Sequence, residues 1–326
     1  MCKVNFRNED CLETIKKIKE KNKKIDIVIT SPPYNKSRHS SSNKKMKQME
    51  TYNAMYDGYD DAMDNEEYCQ WQCKILNEID NILIENGVIL YNISYSNENP
   101  DCMWELIENI RHKTNFMIAD HIIWIKKSAL PQNVSHNKLT RLTENIFVLC
   151  RKNEYKTYNA NKKVTKQNSK GQKYYENIYN IIKAPNNDGS CSLNKATYSS
   201  DLCLQLLNIY ATENSIVFDP FMGTGTTGVA CEKFCQEDTM ICIGCELSAD
   251  QVQFSKDRLA KVREDIANGV DEDVRWRNMT EEEQQAEILA KEEKERKKAE
   301  RKAAKEAKNK EIEKNNNEKV QETSIE

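Results

Sequence analysis

The stretch Ser215-Ile216-Val217-Phe218-Asp219-Pro220-Phe221-Met222-Gly223-Thr224-Gly225-Thr226-Thr227-Gly228 decides the fold class. Its opening residues are a β-branched and aromatic run, the signature of a buried strand, and its end carries three glycines at the spacing of a turn that opens a helix. Gly223 and Gly225 permit a tight turn and a close approach of backbone to ligand, while Gly228 lets the following helix pack on the sheet. The next strand, Met240-Ile241-Cys242-Ile243-Gly244-Cys245-Glu246, ends in an acid 18 residues after Gly228, placed to accept hydrogen bonds from both hydroxyls of a ribose. Together these read as a turn for an adenosine-containing cofactor. They do not by themselves separate NAD from S-adenosylmethionine, and a tight strand-to-helix turn without a ligand is the bland alternative.

Outward from that turn, strand and helix patterns alternate. Ile25-Asp26-Ile27-Val28-Ile29-Thr30 is a second buried strand, stopped by Ser31-Pro32-Pro33. Residues 11–24 precede it with an amphipathic helical pattern through Leu12, Ile15 and Ile18. Helical spacing recurs over 66–84 (Trp71, Ile75, Ile79, Leu83), and Gly87 separates it from a strand at 88–91. Helices are expected at 104–112 and 200–210, and strands at 121–125 and 144–150. Residues 151–189 are polar and tyrosine-bearing, with little period of either kind. Near-continuously apolar strands alternating with helices predict a mostly parallel α/β sheet.

The chain has 326 residues, 38% hydrophobic and 31% charged, with 49 basic and 52 acidic side chains and a formal charge of −3. No apolar run approaches the 18 residues of a membrane span. The opening Met1-Cys2-Lys3-Val4-Asn5 lacks the apolar block of a secretory signal. Twelve cysteines without such a signal point to a reducing compartment, hence a cytoplasmic location.

The near-zero charge dissolves when counted by segment. Residues 281–326 hold 14 acidic and 12 basic side chains, and residues 126–183 hold 13 basic and 3 acidic. A second basic run is Lys36, Arg38, Lys44, Lys45 and Lys47, without an acid. Two positive segments in a balanced chain are the pattern of one face meeting phosphates, though a solvated lysine-rich loop gives the same count. In the tail, Thr280 and Glu283 fit a capping box, and 281–314 is chiefly Glu, Lys, Arg and Ala. That composition predicts a solvated helix or disorder, with no catalytic role.

The second motif with chemistry is Thr30-Ser31-Pro32-Pro33-Tyr34-Asn35. Two prolines fix an extended, rigid loop whose carbonyls no helix absorbs. The Pro32 carbonyl and Ser31 hydroxyl are then held as acceptors, with Tyr34 offering an aromatic plane, which suits a planar substrate bearing an amino group. A proline-terminated strand with a core tyrosine is the plain alternative.

Both motifs in this order resemble the DNA amino-methyltransferases that modify exocyclic amines. Ser31-Pro32-Pro33-Tyr34 is similar to that family's catalytic signature, and Asp219-Pro220-Phe221-Met222-Gly223-Thr224-Gly225-Thr226-Thr227 to its cofactor loop. Catalytic motif first and cofactor loop last looks like the circularly permuted β group, over roughly residues 1–262. The resemblance implies a Rossmann-like sheet of the S-adenosylmethionine methyltransferase type, with an irregular target-recognition insertion and a charged C-terminal helical tail. It divides the chain into a catalytic half at 1–125, a basic target-recognition region at 126–190, a cofactor-binding half at 191–270 and a tail at 271–326.

The resemblance also implies roles for single residues. Asn8-Glu9-Asp10-Cys11 looks like the segment that meets the cofactor adenine, with Asp10 the partner of its amino group. Phe221, Gly223, Gly225, Thr226 and Thr227, with Asp219 beside them, would surround the methionine end of S-adenosylmethionine, and Glu246 would hold its ribose. Asn194-Lys195-Ala196-Thr197-Tyr198-Ser199-Ser200-Asp201-Leu202 resembles the segment before the cofactor loop, but has Asn194 and Lys195 where His and Pro are common and Ser199 where Pro is common. Lys36, Arg38, Lys126, Lys127, Lys138 and Arg141 are the expected contacts to double-stranded DNA. A companion restriction endonuclease and a homodimer stay open, as does a nuclear location in a eukaryotic host.

The expected reaction transfers a methyl group to cytosine N4 or adenine N6 of a flipped base. The Ser-Pro-Pro-Tyr form, by resemblance, leans slightly to cytosine. An aromatic amine is a poor nucleophile because its lone pair is delocalised. Accepting both N–H groups on Ser31 and Pro32 frees that pair, so orientation and electrostatics carry the catalysis. A nucleotide-dependent oxidoreductase and a non-catalytic DNA-binding relative are the alternatives. Cys231, Cys235, Cys242 and Cys245 are close enough to suggest zinc, but Cys242 and Cys245 fall on opposite faces of one strand, so core cysteines are expected and no metal. None of the six prolines precedes a cysteine, so the Pro-Cys nucleophile of ring-carbon methylation is missing, and His39, His112, His121 and His136 show no ligand spacing.

Overall fold

Alternating β-branched residues on strands buried from both sides build the centre of the molecule. The computed structural model describes residues 1–35, 63–129, 131, 136–189, 193, 197–235, 239–268 and 296. The chain divides into Met1–Asp271 and Glu272–Glu326, and of the expected tail helix only Arg296, which is helical, is among the described residues. In order, the elements are β1 (Lys3–Asn8), α1 (Cys11–Glu20), β2 (Ile25–Thr30), α2 (Asn65–Ile82), β3 (Leu83–Ile93), α3 (Cys102–Lys113), β4 (Phe116–Lys126) and β5 (Thr143–Arg151). There follow β6 (Val164–Gln167), β7 (Lys173–Tyr175), β8 (Ile181–Ala184), α4 (Ser200–Tyr210), β9 (Ile216–Asp219), α5 (Thr226–Phe234), β10 (Ile241–Glu246) and α6 (Ala249–Ala267).

Among the described residues, eight strands form one sheet in the order β1-β10-β9-β2-β3-β5-β4-β8. Pairing is parallel throughout except around β5, which runs antiparallel to both β3 and β4. Side chains alternate between two cores. Val28, Ile89, Tyr91, Phe147, Leu149 and Phe218 pack beneath α1, α2 and α3. Ile27, Ile29, Val88, Leu90, Ile146, Val148 and Val217 pack beneath α4 and α5. The period of two along strands covered on both faces explains why they read as unbroken apolar runs. Cys245 lies in the first core and Cys242 in the second with Cys2, Cys231 and Cys235, the opposite-face placement expected from the strand period.

The structure departs from the sequence reading in three places. Gly87 does not separate helix from strand. It lies inside β3, next to Asn86 at φ 61°, where the pairing with β2 shifts register between Ile25 and Ile27. A Cβ on Gly87 would stand 2.8 Å from Leu83 Cγ and 3.0 Å from the Asp26 carbonyl, so this glycine marks a bulge. The segment 151–189 is not uniformly irregular. β6 and β7 form a separate, fully exposed antiparallel hairpin, and β8 joins the edge of the main sheet beside β4. Finally, β1 and α6 appear where no element was expected.

Candidate active site

β9 and β2 are adjacent parallel strands, with Ile27 opposite Val217 and Val28 opposite Phe218. On one side the sheet continues through β10 and on the other through β3, so strand order reverses between them. Ligands of open α/β sheets bind beyond the carboxyl ends of strands at such a point. The two motifs leave the sheet there, side by side.

The loop after β9 is organised from beneath by Asp219, which is fully buried. Its carboxylate accepts from Thr227 Oγ1 at 2.5 Å, from the Phe221 amide at 3.1 Å and from the Tyr198 hydroxyl at 3.2 Å. Burial pushes its pKa up to about 6, and the Thr227 hydroxyl, the Phe221 amide and the Tyr198 hydroxyl hold it from going further. Gly225, at φ 76°, is the N-cap of α5, a conformation that a side chain would strain.

The loop is also clamped from outside by α6. Arg258 Nη1 donates to the Thr224 carbonyl at 3.0 Å and to Thr226 Oγ1 at 3.1 Å, and its Nη2 pairs with Asp188. Asp188 in turn accepts the Ser200 amide that opens α4, at 2.9 and 2.8 Å. Residues 224–228 are buried, whereas Phe221 and Gly223 remain partly accessible. Thr226, Thr227 and Asp219 thus set the shape of the loop with their side chains. Phe221 meets Trp71 edge-on, with ring centroids 5.6 Å apart.

β1 pairs with β10 so that Asn8 stands opposite Glu246, which brings the segment after β1 to the same end of the sheet. Glu246 is partly exposed, and its Oε1 accepts the Ser248 amide at 2.9 Å. Asn8 Nδ2 donates to the Glu246 and Leu247 carbonyls at 3.1 and 2.7 Å. Asp10 is exposed and caps α1 through the Leu12 amide at 2.7 Å. Cys11 is turned into the core, where burial raises its thiol pKa. The donor set suits an adenosine carrying no phosphate. Two carboxylates, Asp10 and Glu246, stand at this end of the sheet, where they could accept from a nucleoside's hydroxyl and amino groups, and the residues at the N-terminus of α5, where a pyrophosphate would sit, are buried.

The loop after β2 is pinned more tightly than its prolines alone require. Tyr68 from α2 donates its hydroxyl to the Pro33 carbonyl at 2.7 Å, so that carbonyl is turned toward α2. Asn35, buried and at φ 51°, donates to the Met63 carbonyl at 2.9 Å, and its own carbonyl accepts from Asn99 at 2.9 Å. Above these, Ser31 Oγ donates to the Tyr34 hydroxyl at 3.0 Å, and Tyr34 donates to Glu144 Oε2 at 3.0 Å. Glu144 stands at the start of β5, and the antiparallel run of that strand returns it to the carboxyl ends of β2 and β3. Its other oxygen pairs with Lys126, and Asn92 from β3 donates to Oε2 at 3.4 Å.

The structure places the expected DNA contacts unevenly. Lys36 and Arg38 lie outside the described residues. Lys126 is the partner of Glu144, its ammonium 5.3 Å from the Trp124 ring centroid. Arg141 donates to the Tyr95 carbonyl and lies over the Tyr95 ring at 4.6 Å. Lys127 and Lys138 are exposed, as are Lys163, Lys166, Lys170 and Lys173 around the β6–β7 hairpin. Asn194, Lys195 and Ala196 are outside the described residues, but Tyr198 from the same segment reaches Asp219 and Thr227. Sequence reading missed Glu144, Asn92, Tyr68 and Arg258. An acid opening a strand was a visible feature of Glu144, but nothing local linked it to the proline loop.

The profile of a DNA methylase family, of the N6/N4 methyltransferase type, matches residues 25–257. The chain is 23% identical over 226 residues to the type II methyltransferase M.BglII of Bacillus subtilis, covering 62% of this chain and 56% of that protein. It is 27% identical over 156 residues to M.Cfr9I of Citrobacter freundii, covering 48% of each. The chain therefore spans about half the length of these relatives. Among solved structures, the cytosine-N4-specific PvuII DNA methyltransferase superimposes with a TM-score of 0.56 at 15% identity, covering 82% of this chain and 94% of that one. M1.HpyAVI gives 0.51 at 22%, covering 78% and 98%. These two likenesses show a shared fold.

Proposed function

The chain belongs to the N6/N4 DNA methylase family, and from that premise we propose that it transfers a methyl group from S-adenosylmethionine to an exocyclic amino group of a base in double-stranded DNA. The observation that carries this reading is the juxtaposition of the Ser31–Tyr34 loop and the 219–228 loop at the ends of two neighbouring parallel strands. Phe221, Gly223, Glu246 and Asp10 are the accessible residues that would hold the cofactor, whose sulfonium supplies an electrophilic methyl. Ser31 Oγ and the Pro32 carbonyl accept the two N–H groups of the amine, and the Tyr34 ring stacks on the base. A base inside a duplex cannot reach this loop, so it is flipped out first. Exposed lysines such as Lys127 and Lys138 contact phosphates and make affinity fall with salt.

Ser31 at the head of the motif favours cytosine N4 over adenine N6. A dinucleotide-dependent oxidoreductase is disfavoured because residues 224–228, where a pyrophosphate would sit, are buried. The chain is expected to act beside the chromosome in the cytoplasm, with a companion endonuclease and a dimeric state as open extensions. Incubation with duplex DNA and isotopically labelled S-adenosylmethionine, followed by nucleoside mass spectrometry, tests the reading. Labelled N4-methylcytosine is expected. N6-methyladenine alone overturns the base preference, and the absence of any labelled nucleoside overturns the activity.

A further inference from the structure

We propose that Glu144 is a positioning residue that fixes the direction of the Ser31–Tyr34 hydrogen-bond chain, so that the loop receives an amino group and turns away a carbonyl. The inference rests on the reading of the site as an amine methyltransferase. A carboxylate accepts hydrogen bonds and donates none. Tyr34 has one hydroxyl proton, and at 3.0 Å from Glu144 Oε2 that proton points at the carboxylate. The Tyr34 oxygen is then left as an acceptor, and the Ser31 proton, 3.0 Å away, points at it. Ser31 Oγ then keeps lone pairs to offer and has no proton to give.

Ser31 without this chain is ambivalent, because a serine hydroxyl donates as readily as it accepts. With the chain it presents only lone pairs, matching an N–H and repelling the carbonyl oxygen of a keto base in the same place. Lys126 supplies the counter-charge on the far oxygen of Glu144, and Asn92 holds the near one. Asn92 Oδ1 has no partner among the described residues, and a carboxylate can only accept, so the Asn92 amide meets Glu144 through its nitrogen. The device is assembled from the loop after β2 and the strands β3, β4 and β5.

The test is Glu144→Gln, which keeps the shape and replaces an obligate acceptor with a group that also donates. With Lys126 favouring the amide oxygen, the amide nitrogen faces Tyr34 and reverses the chain. The expected result is a fall in kcat of roughly 10- to 100-fold, with the dissociation constant for S-adenosylmethionine, measured by calorimetry, within about twofold of the unaltered protein. On a Tyr34→Phe background, where the chain is already cut, Glu144→Gln is expected to cost nothing further. An unchanged kcat, losses that multiply in the double variant, or a parallel loss of cofactor binding each overturns the positioning role. Absence of methyl transfer by the unaltered protein overturns the underlying reading instead, whereas transfer that is indifferent to Glu144 overturns this inference alone.

Discussion

Replacing Arg258 by Met is the most exacting test of how the cofactor loop is held. The Arg258 and Asp188 side chains are each only 7% exposed, and the guanidinium is the brace common to the Thr224 carbonyl, Thr226 Oγ1 and Asp188. Methionine preserves the length and apolar stem but leaves the Asp188 charge buried without a counter-ion. Removing one member of a buried pair costs about 3–5 kcal/mol, and at about 2–4 °C per kcal/mol in a unit of this size the melting temperature drops by roughly 10 °C. Urea unfolding followed by tryptophan fluorescence gives the free energy. The double variant Arg258→Met with Asp188→Asn is the decisive companion. Asparagine still accepts the Ser200 amide but carries no charge, so most of the loss returns, leaving about 1–2 kcal/mol from the loop contacts. A single variant within 1 kcal/mol of the unaltered protein, or a double variant whose costs simply add, refutes the clamp.

Three further expectations concern neighbouring residues. The pKa of Asp219 stands near 6, above its ordinary 3.8, so the folded chain holds this proton more tightly than the unfolded one. Its contribution to stability is then greatest below pH 3.8 and falls as pH rises to about 6, by on the order of 3 kcal/mol. Asp219→Asn removes that slope, and equal slopes in urea unfolding between pH 4 and 7 would falsify the assignment. Gly228→Ala places a Cβ 2.6 Å from Phe6 Cε1 and 3.0 Å from Val4 Cγ1, at a cost of about 1–3 kcal/mol. Phe6→Leu should relieve it, and a neutral single variant contradicts the packing. Glu246→Gln weakens S-adenosylmethionine binding roughly tenfold while kcat at saturating cofactor stays within about twofold; an identical binding isotherm rejects the ribose contact.

Features encoded locally were legible in the sequence. Ile27-Val28-Ile29 and Ile146-Phe147-Val148-Leu149 announce strands covered on both faces because every second residue serves a different core. Glycines and prolines announce the two loops because Gly223 and Gly225 take left-handed backbone and the two prolines fix φ and give up their N–H. What depends on distant partners stayed hidden. Glu144 meets Tyr34 across 110 residues and Arg258 meets Asp188 across 70, and neither acid is distinguishable in its own segment from a solvated one. β1 escaped notice because Lys3–Asn8 alternates exposed and half-buried positions at the sheet edge and lacks the apolar density of the central strands. β8 is only four residues long, too short for a period to emerge.

The antiparallel course of β5 has a consequence for recombination. Swapping everything between 126 and 190 with a relative would carry off Lys126, Glu144 and the edge strand Ile181–Ala184 along with whatever contacts the duplex. The sheet and the contacts of Glu144 with Tyr34 and Lys126 would both have to be re-fitted to a foreign backbone. Residues 152–180, which hold the exposed β6–β7 ribbon, lie between β5 and β8 and interrupt neither strand. A chimera cut at those seams exchanges a module. One cut at 126 and 190 breaks the machine it was meant to retarget.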